Sequence, residues 1–299
     1  MVVATGFFDG VHLGHRHVLS ILVGAARERG TESIVATFWP HPRTVLQDEA
    51  RGLRLLSSLD EKKALLAAAG VDRVEVIPFS RAFSEMTAEA YLREYVIGRL
   101  GATAIVVGYD NRLGSDRCTP DRIRETGERL GLEVLVADPS PARTADGVPV
   151  SSTQVRGALA AGRVEAAADM LGYRYPLRGV VVEGNRLGRT IGFPTANMQL
   201  FEPRKMVPAD GVYYVAVETL GRRLDGMCNI GVRPTVGAAS GRTIETHVFD
   251  FDESIYGLDF QVSFLRRIRD ERKFASMDDL RARLAADREE CFRFRFRDV

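Results

Sequence analysis

Two histidines, His12 and His15, stand three residues apart in the opening stretch VVATGFFDGVHLGHRHVL, flanked by Gly10 and Gly14. No acidic residue stands where a zinc-protease motif would need one, and no cysteine is near, so a metal pair would lack its further ligands. An anion suits the place better. The pair lies just ahead of an amphipathic run, and a helix N-terminus presents unpaired N–H groups and a partial positive charge. Glycines there let the backbone close on a phosphate. A neutral imidazole donates one hydrogen bond, and a protonated one adds charge. The chemistry on offer is electrostatic stabilisation of a phosphate during its transfer. The plain alternative is a pair of surface histidines.

A second group lies in residues 183–198, EGNRLGRTIGFPTANM. Gly184, Gly188 and Gly192 free the backbone to wrap an anion. Thr195 offers a hydroxyl oxygen and Asn197 an amide oxygen, hard donors suited to Mg²⁺, which keeps waters and shares substrate phosphates. Arg189 either touches phosphate or is solvated. An ordinary β-turn loop has the same glycine content. No Gly-Lys-Ser/Thr occurs in this stretch, so it is not a Walker loop.

The elements that must position these residues can be read from periodicity. Residues 1–7 form a buried strand ending at the turn Phe8-Asp9-Gly10, and about residues 15–29 form a helix with Val18, Leu19, Ile21, Leu22 and Ala25 on one face. The strand SIVATF follows. Helical EKKALLAAAG, TAEAYLREYVIGRLG and PDRIRETGERLG then alternate with the strands VDRVEVIPF, ATAIVVGYD and LEVLVAD. Alternation at this spacing predicts a doubly wound parallel sheet, which binds ligands beyond the carboxyl ends of its strands. From Gly179 the character changes to short β-rich runs, GVVVEG, GVYYVAVETL, RRLDGMCNIG, TIETHVFDF and LDFQVSFLRRIR, which predict a small antiparallel barrel or sandwich. A helix closes the chain, with Ser276 and Asp279 placed as a weakened capping box.

Composition sets outer limits. The 299 residues suffice for two domains, and a formal net charge of +1 gives no bulk attraction to nucleic acid or to anionic membrane. Cys118, Cys228 and Cys291 are scattered and odd in number, which points to a reducing compartment. No apolar run is long enough for a bilayer, and no leader pattern opens the chain, so a cytoplasmic protein is expected.

Four segments then match a known pattern in order. GFFDGVHLGH resembles the HxGH nucleotidyltransferase signature, in the version carried by prokaryotic bifunctional riboflavin kinase/FAD synthetases. TFWPHP resembles that family's Phe-x-Pro-His-Pro segment, VVGYDNRLGSDR its Gly-x-Asp-Phe-x-Phe-Gly segment, and VSSTQVRGAL its Ser-Ser-Thr-x-x-Arg segment. Further on, PTAN within GFPTAN resembles the riboflavin kinase signature, and CNIGVRPTV and ETHVFDFDESIYG agree with it over roughly residues 179–290.

The resemblance implies an HxGH-type FMN adenylyltransferase domain over residues 1–172, a linker over 173–178 and a riboflavin kinase domain over 179–299, the latter a six-stranded antiparallel barrel with a terminal helix. It implies that His12 and His15 contact the ATP phosphates, with Gly6, Phe8, Asp9, Gly10 and Gly14 in the nucleotide-side turn. Asp9 is alternatively only a turn-former. Ser152, Thr153 and Arg156 complete the cradle: a Ser/Thr helix start binds anions and an arginine forks two phosphate oxygens, although an ordinary cap with a solvated arginine looks the same. Asp110, Asn111 and Phe193 fall on the flavin side, and Trp39 and Phe79 either border the flavin or only pack.

In the barrel, the resemblance implies that ATP lies under the glycine-rich loop and that Glu245 takes the proton of the riboflavin 5′-hydroxyl, with Mg²⁺ expected to be shared between Thr195, Asn197 and the nucleotide. Alternation puts Glu245 and His247 on one strand face, and packing or a hydrogen bond is expected of His247. The implied substrates are riboflavin, FMN and ATP. Two departures stand out: the family usually has phenylalanine at Asn111 and Leu113, and its members often carry a short preamble before the first strand. The rival readings are a kinase with a weak adenylyltransferase half, and a flavin-binding regulator without turnover. The latter would be expected to carry a DNA-reading module, and none is visible. Oligomeric state is not legible.

Overall fold

The computed structural model describes residues 1–46, 52–184, 187–232 and 242–295. Residues 185–186 of the glycine-rich loop and 233–236 of CNIGVRPTV lie outside them. The chain divides into two compact units, Met1–Ser152 and Thr153–Val299.

The first unit runs β1 (Val2–Thr5), α1 (Leu13–Glu28), β2 (Ser33–Trp39), α2 (Pro42–Leu46), α3 (Leu59–Ala68), β3 (Arg73–Pro78), α4 (Arg81–Ser84), α5 (Ala88–Tyr91, continuing as a wider helix through Leu92–Arg99), β4 (Ala104–Gly108), α6 (Pro120–Leu130) and β5 (Glu133–Ala137). All five strands are parallel, in the order β3-β2-β1-β4-β5. Successive strand residues face opposite ways, so Val2 and Ala4 pack with Leu19 and Leu22 of α1. Val3 packs on the other face with Tyr91, Leu92 and Val96. Both faces are covered, which is why these strands read as near-continuous apolar runs. The order reverses at β1, whose neighbours are β2 and β4, and a crevice opens beyond the carboxyl ends of such a pair. GFFDG and the GYDN turn leave β1 and β4 there.

Helix α3 begins earlier than its apolar run suggests. Ser58 Oγ accepts from Glu61 N (3.2 Å) while Glu61 Oε2 accepts from Ser58 N (2.8 Å), a complete capping box that starts the helix at Leu59.

The second unit continues α7 (Ser152–Ala160) and adds α8 (Val164–Leu171), β6 (Pro176–Val182), α9 (Leu187–Thr190), β7 (Ala196–Leu200), β8 (Gly211–Thr219), β9 (Arg222–Val232), β10 (Arg242–Val248), β11 (Asp259–Arg269) and α10 (Met277–Arg295). Its strands close into an antiparallel barrel in the order β10-β7-β6-β11-β8-β9. Five of the six are the β-rich runs of the sequence. The sixth, β7, falls inside the PTANM stretch, where Asn and Gln obscure the alternation. Helices α7 and α8 belong with the barrel: Ala209 N donates to Leu159 O (2.9 Å) and Arg267 donates to Ala161 O (3.2 Å). The compact units therefore part ahead of residues 173–178, where the composition changes. Helix α10 is tied down by Asp287, which is fully buried and receives Arg269 Nη2 (2.8 Å) and Arg283 Nη2 (2.8 Å).

Candidate active sites

His12 is the N-cap of α1, and its Nδ1 accepts from His15 N (3.3 Å). The ring proton of His12 is thereby placed on Nε2. The two rings stack with centroids 3.6 Å apart and planes inclined by 18°, and the edge of Phe8 meets His15 at 5.2 Å. Burial, then the neighbouring His12 and Lys62, hold His15 well below the usual histidine range. His15 is thus neutral at pH 7 and works as a dipolar donor rather than a cation. Its Nδ1 is buried and has no hydrogen-bond partner among the described residues.

The turn that presents this pair is strained and clamped. Phe8 (φ 52°) and Val11 (φ 38°) both lie in the left-handed region, which costs roughly 1–3 kcal/mol per non-glycine residue. Gly10 (φ 75°) takes the same region without that cost. The Asp9 carboxylate is buried and accepts from Leu56 N (3.0 Å) and Ser57 N (3.1 Å). Gly10 N donates to Ser57 Oγ (3.1 Å), and Ser152 Oγ donates to Asp9 O (3.1 Å). Gly6 N donates to Ala36 O (3.1 Å), and Gly14 lies against the His12 ring and the Val150 carbonyl. Phe8 is a core residue as well as a wall for His15.

At the end of β4, Asp110 is exposed, and Asn111 N donates to Gly108 O (3.1 Å). Leu113 is buried in the core and bridges to Cys118, so its departure from phenylalanine is a matter of packing. Phe79 packs on Phe38 and Phe83, while Trp39 lies against Lys62. Thr153, exposed, and Arg156 follow Ser152 on α7, within the second unit.

In the barrel, Glu245 of β10 lies opposite Asn197 of β7 on one side and Asn229 of β9 on the other. It lines a cavity of about 300 Å³ together with apolar Phe193, Ile191, Val212 and Met227 and polar Asn229 and Arg269. A second cavity of about 300 Å³ contains Arg189, Pro194, Thr246, Asp252 and Tyr256. Thr195 lines both. His247 bonds through Nδ1 to Pro194 O (2.7 Å) and packs edge-on against Phe193 and Phe249. Burial lowers its pKa, so the ring is neutral and Nδ1–H is the donor. Gly184 and Gly188 answer to the protein itself: a Cβ at Gly184 would strike the Asn197 amide, and one at Gly188 the Phe193 carbonyl. Gly192 turns the chain at φ 82°.

Sequence reasoning missed Ser57, Asn229 and above all Lys62, whose side chain is wholly buried beside the first site. The capping-box pattern SLDE was a usable signal, because it starts α3 at Leu59, ahead of the run EKKALLAAAG.

A parallel-sheet unit with two stacked imidazoles at a helix N-terminus, joined to a closed barrel with a carboxylate in one cavity and a threonine hydroxyl where two cavities meet, defines an enzyme of phosphate-group transfer with two sites. Residues 1–154 match the FAD synthetase family model and residues 171–294 the riboflavin kinase family model. The chain is 34% identical, over 98% of its length and 92% of the relative's, to the bifunctional riboflavin kinase/FMN adenylyltransferase of Bacillus subtilis. To the Escherichia coli K12 protein of that name it is 38% identical, over 96% of this chain and 90% of the relative. A solved structure from Streptococcus pneumoniae, described as a macrolide-efflux protein, superposes with a TM-score of 0.89 at 36% identity, covering 96% of this chain and 92% of that one. The chain belongs to the bifunctional riboflavin kinase/FMN adenylyltransferase family.

Proposed function

We propose that the chain converts riboflavin to FAD in two steps at two separate sites. It is a riboflavin kinase and an FMN adenylyltransferase. The observation that carries the site assignment is Thr195, which borders both barrel cavities, with Glu245 in the more apolar of them. The flavin ring takes the Phe193 side and ATP the Arg189 side, so the γ-phosphoryl group crosses at Thr195. Glu245 takes the proton of the riboflavin 5′-hydroxyl as that oxygen bonds to the γ-phosphorus and ADP leaves.

Mg²⁺ fits this place: Thr195 and Asn197 offer hard oxygens, and the close approach at Gly184 holds the Asn197 amide beside the loop. Mg²⁺ held there supplies positive charge against the phosphate oxygens of ATP. Chelation should accordingly stop FMN formation.

In the first unit, a phosphate oxygen of FMN attacks the α-phosphorus of ATP, and the bond to the pyrophosphate oxygen breaks. No protein nucleophile is needed. His12 and His15 donate to the phosphate oxygens as charge builds. Asp9 shapes the turn through Leu56 and Ser57. Ser152, Thr153 and Arg156 serve the phosphates, and Asp110 and Asn111 the flavin side. The chain works in the cytoplasm, where ATP is available and thiols stay reduced; Cys118, Cys228 and Cys291 are unbridged.

The test is incubation with riboflavin, ATP and Mg²⁺ followed by chromatography of the flavins. FMN and FAD are both expected; FMN alone would remove the adenylyltransferase assignment, and neither product would remove both.

A further inference from the structure

Lys62 is a charged side chain with no exposed surface. Its Nζ lies 3.5 Å from the centroid of the Phe7 ring and 5.6 Å from that of Trp39. Among the described residues its hydrogen-bond partner is Thr37 Oγ1 at 3.4 Å, a long contact for a group with three donors. Thr37 Oγ1 in turn donates to Phe7 O (3.1 Å). Phe7 is thus gripped from two sides, since His41 meets its ring at 3.9 Å and 61°.

Burying an ammonium with so little compensation is costly, and a methionine would fill the same channel more cheaply. The titratable groups that feel its charge are Asp9 from the turn and His15 from α1. Glu61, beside it on α3, is committed to Ser58 N. Asp9 is bonded to the segment leading into α3, so the lysine and the strained turn form one clamped assembly.

We propose that Lys62 is a positioning residue of the adenylyltransferase site: its ammonium, beneath Phe7 and within charge range of Asp9, holds the turn at residues 6–10 in the shape that presents His12 and His15 to the nucleotide. The inference rests on the assignment of FAD formation to this unit. Burial draws the lysine down to about 8, with Asp9 acting the other way, so the positioning charge is present at pH 7 and fades on the alkaline side.

The test compares wild type, Lys62→Met and Lys62→Arg in four measurements: riboflavin to FMN, FMN to FAD, melting temperature, and the pH profile of FAD formation. Lys62→Met should melt no lower than wild type and make FMN normally. Its kcat for FAD should fall about 10²-fold with little change in KM, the loss a displacement of about 1 Å brings. Lys62→Arg should restore most of that kcat and carry it to higher pH, where wild type declines. Three results would overturn the proposal: Lys62→Met making FAD at the wild-type rate, Lys62→Met melting lower than wild type, which marks a structural lysine, or a wild-type profile that stays flat through pH 9. Wild type making no FAD would instead remove the assignment of the unit itself.

Discussion

The rings of His12 and His15 lie face to face with centroids 3.6 Å apart, tied by the His15 N–H bond to His12 Nδ1. Two imidazolium ions at that distance repel strongly. The pair therefore offers N–H dipoles rather than two positive charges. Replacing His15 by Ala should lower FAD formation from FMN by about 10²–10³-fold, the usual loss for one preorganised donor. FMN formation in the same protein should stay intact. Separate assays of the two steps check this.

Acid should destabilise the first unit. The folded His15 binds its proton far less readily than the same residue in an unfolded chain, near 6.5. Below pH 6.5 the unfolded state takes up a proton that the folded state refuses, so stability falls as pH falls. Thermal unfolding of wild type should show a lower first transition at pH 5.5 than at pH 7.5. In His15→Ala that difference should shrink.

Glu245→Gln keeps the size of the side chain and removes the base. FMN formation should drop by about 10²–10⁴-fold, the range for a positioned general base. Conversion of supplied FMN to FAD should continue. A folded Glu245→Gln protein that lost both activities together would contradict the two-site assignment.

Two glycine substitutions separate position from folding. At Gly184 a methyl group meets the tip of the Asn197 side chain, which can swing away. Gly184→Ala should fold normally and raise the Mg²⁺ and ATP needed for FMN formation. At Gly188 the obstacle is the Phe193 carbonyl, a backbone atom that cannot turn aside. Gly188→Ala should cost the barrel roughly 1–3 kcal/mol, as forced backbone shifts do, and abolish FMN formation. Kinase titrations and melting curves distinguish the two.

Much of the architecture was legible from periodicity. The parallel sheet announces itself because strands buried on both faces must be apolar throughout, and five barrel strands read as short β-rich runs between Gly, Asn and Asp. The start of α3 and the strand Ala196–Leu200 were harder to see, since capping and polar strand residues leave weak apolar signals. The glycines of the second loop were visible, but the reason for two of them was not: the atoms they make room for, Asn197 and Phe193, come from a fold-back that composition does not encode.

The primary structure alone singled out the candidate groups, because His12, His15, Thr195 and Glu245 sit in short local motifs whose chemistry depends on residue type. Their condition came from long-range packing. The neutrality of His15, the inward turn of Asp9 toward Leu56 and the burial of Lys62 against Phe7 depend on segments some fifty residues apart being pressed together. Burial and neighbouring charge set protonation, and both are properties of three-dimensional neighbourhood rather than of sequence order.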